Sequence, residues 1–248
     1  MRKPGKDINY ADHLEAFKPV VYIPDNEKSD DFNAFEQSFF GEIDDYEAWH
    51  DGIEFSLNFY ALNCLDGDER KAAHAMLYNA LLKDVREEYI LGLLELKSMS
   101  GLELFKSLFE REKTQNNKLL LAIAILGFGF DEYYINYFAD FFADAANFHM
   151  DKVDFLCRLK KLVYNKVVNK NNITGNMVRA FLTNMEDEEY LVRYHAYECL
   201  KLLFSGKFIT AKKDDIFTLI VSDKTNAEFK DAVAKTVKEF NLERFAAN

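Results

Sequence analysis

The stretch EDEEYLVRYHAYECLKLLFSG, residues 186–206, decides the fold class because it predicts one complete amphipathic helix. At about 100° of rotation per residue, its apolar side chains fall on one face. That face consists of Val192, Ala196, Cys199 and Leu203. Asp187 is predicted to cap the helix within an acidic first turn, and Gly206 supplies a left-handed stop. The stretch is therefore expected to be a helix that faces the core.

The same stretch resembles the second helix of a HEAT repeat. The similarity consists of an acidic residue before the helix, a Val-Arg pair, a small residue three places after the Arg and a leucine four places further on. These are Asp187, Val192, Arg193, Ala196 and Leu200. The resemblance implies antiparallel helix pairs stacked into an α-solenoid, with Asp187 and Arg193 supporting the stack.

The rest of the chain favours an all-α fold. All three prolines lie in the first 24 residues, so the strongest helix breaker is missing from the remainder. The best candidate strand, residues 216–221, suits a short helix equally well. The expected fold is an all-α, HEAT-like α-solenoid of antiparallel helix pairs. An irregular helical bundle is the alternative, because the other units repeat the HEAT-like pattern poorly.

Helical segments are expected along the whole chain after residue 26. The predicted positions are 30–40, 46–62, 66–82, 85–96, 100 onward, 117–126, 131–143, 150–168, 174–185, 186–206, 213–221 and 225–240. Ser100 and Thr225 each begin a capping-box spacing. Units of about thirty to forty residues are typical of helical solenoid repeats. We therefore predict one continuous domain, with an acidic N-terminal helical segment (1–65) packed on about five helix pairs (66–248).

Composition indicates an ordinary globular protein. The chain has 248 residues, of which 49% are apolar and 29% are charged. It has no apolar run of eighteen residues, and its first residues lack the apolar core of a signal peptide. We therefore expect a cytoplasmic protein that does not bind a membrane. The three cysteines are far apart and form no C-x-x-C motif, so neither a disulfide nor a metal site is expected.

The charges are separated along the chain. Residues 25–54 contain eleven acids and one base, whereas residues 155–185 contain six bases and no acid. A region of one sign attracts partners of the opposite sign, although both regions also suit solvated faces. Acidic residues that would face a basic protein partner are Asp30, Asp31, Asp44, Asp45 and Glu47.

Two classes of function are consistent with these patterns. The first is a non-catalytic protein-protein interaction module that binds a basic partner. A small, acidic helical protein of this kind resembles the immunity proteins that neutralise bacterial toxins, including inhibitors of basic nucleases. The alternative is a nucleic-acid-binding protein that resembles the HEAT-like alkylpurine DNA glycosylases. Its phosphate contacts would be Arg158, Lys160, Lys161, Lys166 and Lys170 within the basic run 158–179.

Motifs for catalysis are missing from the sequence. It contains no G-x-S-x-G, H-E-x-x-H or G-K-[ST] motif, so we expect neither an enzyme nor a cofactor. His13, His50 and His74, with acids such as Asp131, loosely suggest a metal-dependent phosphohydrolase. Such a site needs several ligands that converge on a metal, and the sequence does not identify the others.

Overall fold

The structure, a computed structural model, describes residues 17–41, 53, 56–209 and 215–246. These residues form helices and connecting turns, and no strand occurs among them. The predicted all-α class is therefore confirmed. Within the same residues, no helix combines the length and the apolar character that a membrane crossing requires.

The described part of the chain contains thirteen α-helices and one 3-10 turn, Asp25–Glu27. In chain order the helices are α1 (Asp30–Phe40), α2 (Phe59–Cys64), α3 (Gly67–Lys83), α4 (Glu87–Glu95), α5 (Met99–Arg111), α6 (Gln115–Phe128), α7 (Glu132–Ala143), α8 (His149–Tyr164), α9 (Gly175–Asn184), α10 (Tyr190–Ser205), α11 (Asp215–Ile220), α12 (Ala227–Glu239) and α13 (Glu243–Ala246).

The predicted helix over residues 46–62 is the largest error in the described chain. Residues 56–58 are not helical, and α2 begins only at Phe59. The side chain of Asn58 accepts a hydrogen bond from the backbone N–H of Ala61, which makes Asn58 the N-cap. Residues 46–52, the first part of the prediction, lie outside the described residues.

Three helices begin with a different cap from the predicted one. Ser98, not Ser100, caps α5, because the Ser98 hydroxyl accepts from the backbone N–H of Gly101. Asn226, not Thr225, caps α12 by accepting from the N–H of Glu228. Glu189, not Asp187, caps α10. In each case the cap is the residue directly before the first helical residue, from which its side chain reaches a free N–H group of the first turn.

The other end of α10 agrees with the sequence prediction. Gly206 follows the last helical residue and has a left-handed φ of 68°. Its backbone N–H donates to the carbonyl of Leu202, which closes the last turn. A residue with a Cβ is strained in this conformation, so glycine suits the position.

The chain divides into two compact units, residues 1–112 and 113–248. In the first unit, α1 packs on α2, α3 and α4, α3 packs on α4, and α4 also contacts α2 and α5. Gly92 permits the close contact between α3 and α4, because an added Cβ would lie 2.8 Å from a Leu77 methyl group. The buried side chains of this unit include Phe32, Phe35, Phe39, Leu77 and Leu93.

In the second unit, most helices pack against the helix two places along the chain. The closest packing is between α8 and α10 and between α7 and α9, and α6 contacts both α7 and α8. Helix α10 also contacts α9 and α11, α11 contacts α12, and α13 contacts α9. This arrangement is compatible with a helical repeat. The predicted division into residues 1–65 and 66–248, with five helix pairs, stays a prediction.

Arg193 fixes the start of α10 to the end of α11. Its Nη1 donates to the carbonyls of Asp187 and Glu188, both at 2.9 Å. Its Nε and Nη2 donate to the carbonyls of Ile220 and Ser222, both at 2.8 Å. The guanidinium also lies over the ring of Phe229, 5.5 Å from its centroid. One side chain that is only 5% exposed thus satisfies four backbone carbonyls.

Replacing this arginine is expected to destabilise the second unit strongly. Arg193→Ala leaves four carbonyls without their donor, and we expect a loss of roughly 3 kcal/mol in the free energy of unfolding. Urea denaturation followed by circular dichroism measures it. The control is Lys230→Ala, which removes an exposed cation of α12 and is expected to cost less than about 0.5 kcal/mol. Equal losses in both variants would contradict this role of Arg193.

Candidate functional site

The acidic residues predicted to face a partner are only partly described. Asp30 and Asp31 lie in the first turn of α1, where Asp30 is exposed and Asp31 is half-buried. Their position is favourable for the helix, because carboxylates stabilise the positive end of the helix dipole. Asp44, Asp45 and Glu47 lie outside the described residues.

A contact between α1 and α3 joins two acidic segments of the first unit. The carboxylate of Glu69 accepts from both the backbone N–H and the hydroxyl of Ser29, each at 2.7 Å. The same hydroxyl of Ser29 accepts from the N–H of Phe32 and so caps α1. The acidic start of α1 therefore lies beside the acidic start of α3.

We call the resulting region the acidic surface. It comprises Asp25, Glu27, Asp30, Asp31, Asp66, Asp68 and Glu69. The side chain of Asp25 is 94% exposed, and Asp66 and Asp68 are exposed as well. Asp25, Glu27, Asp30 and Asp31 belong to the acidic segment 25–54 that was identified from the sequence. The sequence did not connect them with residues 66–69, because that connection depends on a contact across forty residues.

Two lysines lie close to the acidic surface and already have acidic partners. Lys28 Nζ lies 3.0 Å from Asp25 and 2.8 Å from Glu36, and Lys71 Nζ lies 2.8 Å from Asp68. The hydrogen bonds to Glu36 and Asp25 raise the pKa of Lys28. Acids still outnumber bases on this surface, so the field there is negative.

An exposed tyrosine lies on α2, the helix that packs on α1. Tyr60 is 77% exposed. A hydrogen bond with Cys64, and then the charges of Cys64 and Asp31, raise the pKa of its phenol. A tyrosine offers apolar area with one polar tip at a small entropy cost, as interface anchors do. Sequence reasoning missed this residue, because exposure depends on the packing of α2.

The cations of the predicted basic run in the second unit have different surroundings. Arg158 is paired with Asp154 one turn earlier on α8, at 2.9 Å, and Lys160 is paired with Glu198 on α10, at 2.6 Å. Lys161 is exposed on α8, and Lys166 is exposed in the turn that follows. Lys170 lies farther along the same connection, beside a cavity that Arg179 also lines. Two of these five cations are therefore paired with carboxylates, and the other three are exposed.

Lys160 belongs to a partly buried polar network between α8 and α10. The Glu198 carboxylate accepts from Lys160 and lies 3.3 Å from Nδ1 of His195. The thiol sulfur of Cys157 lies 3.6 Å from the same imidazole nitrogen. Burial alone would lower the pKa of His195, but the hydrogen bonds with Cys157 and Glu198 raise it to about 9. The charged partners likewise lower the pKa of Glu198 against the effect of its burial.

The HEAT-like resemblance pointed to Asp187 and Arg193. Asp187 lies in the connection before α10, and Arg193 lies in the first turn of α10. Asp187 accepts from the N–H of Glu189 and pairs with Lys152 of α8 at 3.2 Å. The side chain of Lys152 is only 4% exposed, so this ion pair is nearly dry. Together with the four carbonyl contacts of Arg193, it fixes α10 to both α8 and α11.

The histidine-based hydrolase interpretation gains no support from the described geometry. His74 Nε2 lies 2.6 Å from the hydroxyl of Ser98, the residue that caps α5. Burial, and then the charge of Lys18, lower the pKa of His74. His13 and His50 lie outside the described residues. Among the residues that are described, no group of three or more His, Cys, Asp or Glu side chains could hold a metal ion.

Comparison with known proteins adds no relative. No protein-family model, no curated protein sequence and no solved structure matches the chain. Inferences about function therefore depend on the geometry described above.

The raised pKa of His195 predicts that the free energy of unfolding depends on pH. The pKa of His195 in the folded state, about 9, lies above the ordinary value of 6.5, so its contribution to stability is complete below pH 6.5 and is lost as pH rises through about 9. The groups that face it are Cys157, Lys160, Glu198 and Tyr194. We expect the free energy of unfolding of the unaltered protein to fall by roughly 2–3 kcal/mol between pH 6.5 and 9. His195→Gln should abolish this fall.

The measurement is urea denaturation at a series of pH values. His149→Gln is the matched control, because His149 is an exposed histidine at the start of α8, and this variant should keep the decline of the unaltered protein. A decline that persists in His195→Gln would show that this histidine is not the titrating group.

Proposed function

We propose that this protein is a non-catalytic protein-protein interaction module that binds a basic partner through the acidic surface of its first unit. The observation that carries the proposal is the contact between Ser29 and the Glu69 carboxylate, which gathers the acidic starts of α1 and α3 into one region. Several of the carboxylates in this region are exposed and would meet a partner directly.

Electrostatics supports a basic protein as the partner. A surface of one sign accelerates the association of an oppositely charged protein and disfavours partners of the same sign. Exposed carboxylates contribute little to stability, since water already solvates them. Each carboxylate also favours the start of its own helix, but this effect does not explain why two acidic helix starts lie side by side, which we attribute to binding.

Tyr60 would supply the apolar part of the contact. Charge complementarity mainly sets the association rate and the choice of partner, whereas buried aromatic side chains often supply much of the affinity. A phenol that is 77% exposed, on a helix that packs on α1, offers both an apolar ring and a hydrogen-bonding tip. We expect Tyr60 to insert into a pocket of the partner while the surrounding acids contact its cations.

A more specific form of the proposal is an immunity or inhibitor protein that neutralises a basic toxin, such as a nuclease, in the cytoplasm. It rests on analogy with small acidic helical proteins of that class. The associated architectural proposal is a HEAT-like α-solenoid. Its support is the packing of α7 on α9 and of α8 on α10, in which each helix contacts the helix two places along.

Nucleic-acid binding is the second candidate. One observation favours it, because Lys170 and Arg179 of the basic run face the same cavity. Two other cations of that run, Arg158 and Lys160, already have carboxylate partners, which leaves fewer charges for phosphates. The protein-binding proposal therefore has the broader support.

Charge reversal on α1 tests the proposal. The basic products of the genes that flank this one are purified and titrated against the chain by isothermal titration calorimetry in 50 mM and 300 mM salt. Asp30→Lys/Asp31→Lys is expected to weaken binding at least about tenfold at the lower salt, because two attractive charges become repulsive. Tyr60→Ala should weaken it by a similar factor at both salt concentrations.

Glu103→Lys/Glu110→Lys is the matched control. It makes the same change of charge on exposed positions of α5, in the same unit, and should leave the affinity within about twofold of the unaltered protein. The proposal is overturned if no basic protein binds. The role of the acidic surface is overturned if both double variants weaken binding equally. For the immunity form, co-expression must restore growth to cells that produce the bound toxin.

A further inference from the structure

The second unit contains an open cavity of about 570 Å³, which is the cavity that Lys170 and Arg179 line. Its walls come from the start of α7, the connection before α9, the first turns of α9, and α13. The side chains that matter here are Glu132, Asn136, Lys170, Asn171, Arg179 and Arg244. Most of the exposed lining is polar, which does not suit an apolar ligand.

Three cations from three separate segments line this cavity. Lys170 belongs to the connection before α9, Arg179 to α9 and Arg244 to α13. Within the part of the chain that the structure describes, none of them has a carboxylate at ion-pair distance, in contrast to Arg158 and Lys160 of the same unit. Their positive charges are therefore available to an anion.

Arg179 is held in place by its neighbours. Its Nη1 donates to the backbone carbonyl of Phe245 at 2.6 Å, and its Nη2 donates to the amide oxygen of Asn176 at 2.5 Å. These acceptors use only part of its five N–H donors. Arg244 lies over the ring of Phe245, 4.7 Å from its centroid. The guanidinium of Arg179 is thus oriented before any ligand arrives, which lowers the entropy cost of binding.

The cavity also contains groups that a bare anion would not use. Glu132 places one carboxylate at the wall, which repels an anion but accepts hydrogen bonds from hydroxyl groups. Asn136 already accepts a hydrogen bond from the hydroxyl of Thr174 through its amide oxygen, at 2.8 Å. Its amide NH₂ group is therefore the part that could donate to a ligand. Cations together with one carboxylate and amides match a ligand that carries both an anionic group and hydroxyls.

We propose that this cavity binds a phosphate monoester of a small hydroxylated molecule, such as a sugar phosphate. Lys170, Arg179 and Arg244 bind the phosphate, because guanidinium groups match phosphate oxygens in geometry and charge. Glu132 and Asn136 bind the hydroxyl groups. The proposal does not depend on the proposed partner binding, which concerns the other unit.

Isothermal titration calorimetry on the full-length chain tests the proposal. The probes are ribose 5-phosphate, inorganic phosphate and ribose, each in the same chloride buffer at constant ionic strength. We expect saturable binding of ribose 5-phosphate, weaker binding of inorganic phosphate, and no binding of ribose. Lys170→Gln/Arg244→Gln should weaken the binding of ribose 5-phosphate at least about tenfold, since two phosphate contacts are lost.

Two controls make the result specific. Lys166→Gln removes an exposed cation from the same connection as Lys170, although Lys166 does not line the cavity, so this variant should bind as the unaltered protein does. Circular dichroism confirms that each variant is folded.

Glu132→Gln should change the affinity for ribose 5-phosphate relative to that for inorganic phosphate, because only the former presents hydroxyl donors to the carboxylate.

Three outcomes would overturn the proposal. The first is no saturable binding of ribose 5-phosphate by the folded chain, and the second is unchanged binding in Lys170→Gln/Arg244→Gln. The third is equal affinity for inorganic phosphate and ribose 5-phosphate, which would leave a plain phosphate site. A different result would assign these cations to nucleic acid. In that case duplex DNA would bind more tightly than ribose 5-phosphate, and the same double variant would no longer bind DNA.

Discussion

A charged group that is removed from water must have a partner, and the second unit is built around that constraint. Arg193 satisfies four carbonyls, Lys152 pairs with Asp187, and Lys160 pairs with Glu198. Removing one partner of such a pair leaves an uncompensated charge, which costs more than the pair itself contributes. These contacts hold α8, α10 and α11 together, so most cations near them are committed to the fold.

The acidic surface of the first unit is under the opposite constraint. Its carboxylates remain hydrated, and they do not need partners to be tolerated. Their mutual repulsion is small in water but is not zero, and it opposes the contact of two acidic helix starts even though each carboxylate favours its own helix. The Glu69 carboxylate nevertheless binds Ser29 and brings the two acidic helix starts together. Most acids of the acidic surface are therefore exposed, whereas in the second unit much of the charge supports the fold.

The helices could largely be predicted from the sequence, but the sites could not. Periodicity and caps are local properties, which is why α1 has its predicted bounds and α10 ends at Gly206. Even the wrong caps, such as Ser100 in place of Ser98, differ by one or two residues. The contact of Ser29 with Glu69 and that of Lys160 with Glu198 join residues about forty positions apart. No local pattern in the sequence encodes such contacts, so charge runs alone did not show which charges are exposed.

Binding through the acidic surface is best tested by hydrogen exchange with mass spectrometry on the complex with the basic partner. We expect slower exchange of backbone amides in residues 28–36 and 59–71 of the first unit when the partner is bound, with little change in residues 165–184. Protection confined to residues 165–184, with none around α1 and α3, would instead assign binding to the basic region of the second unit.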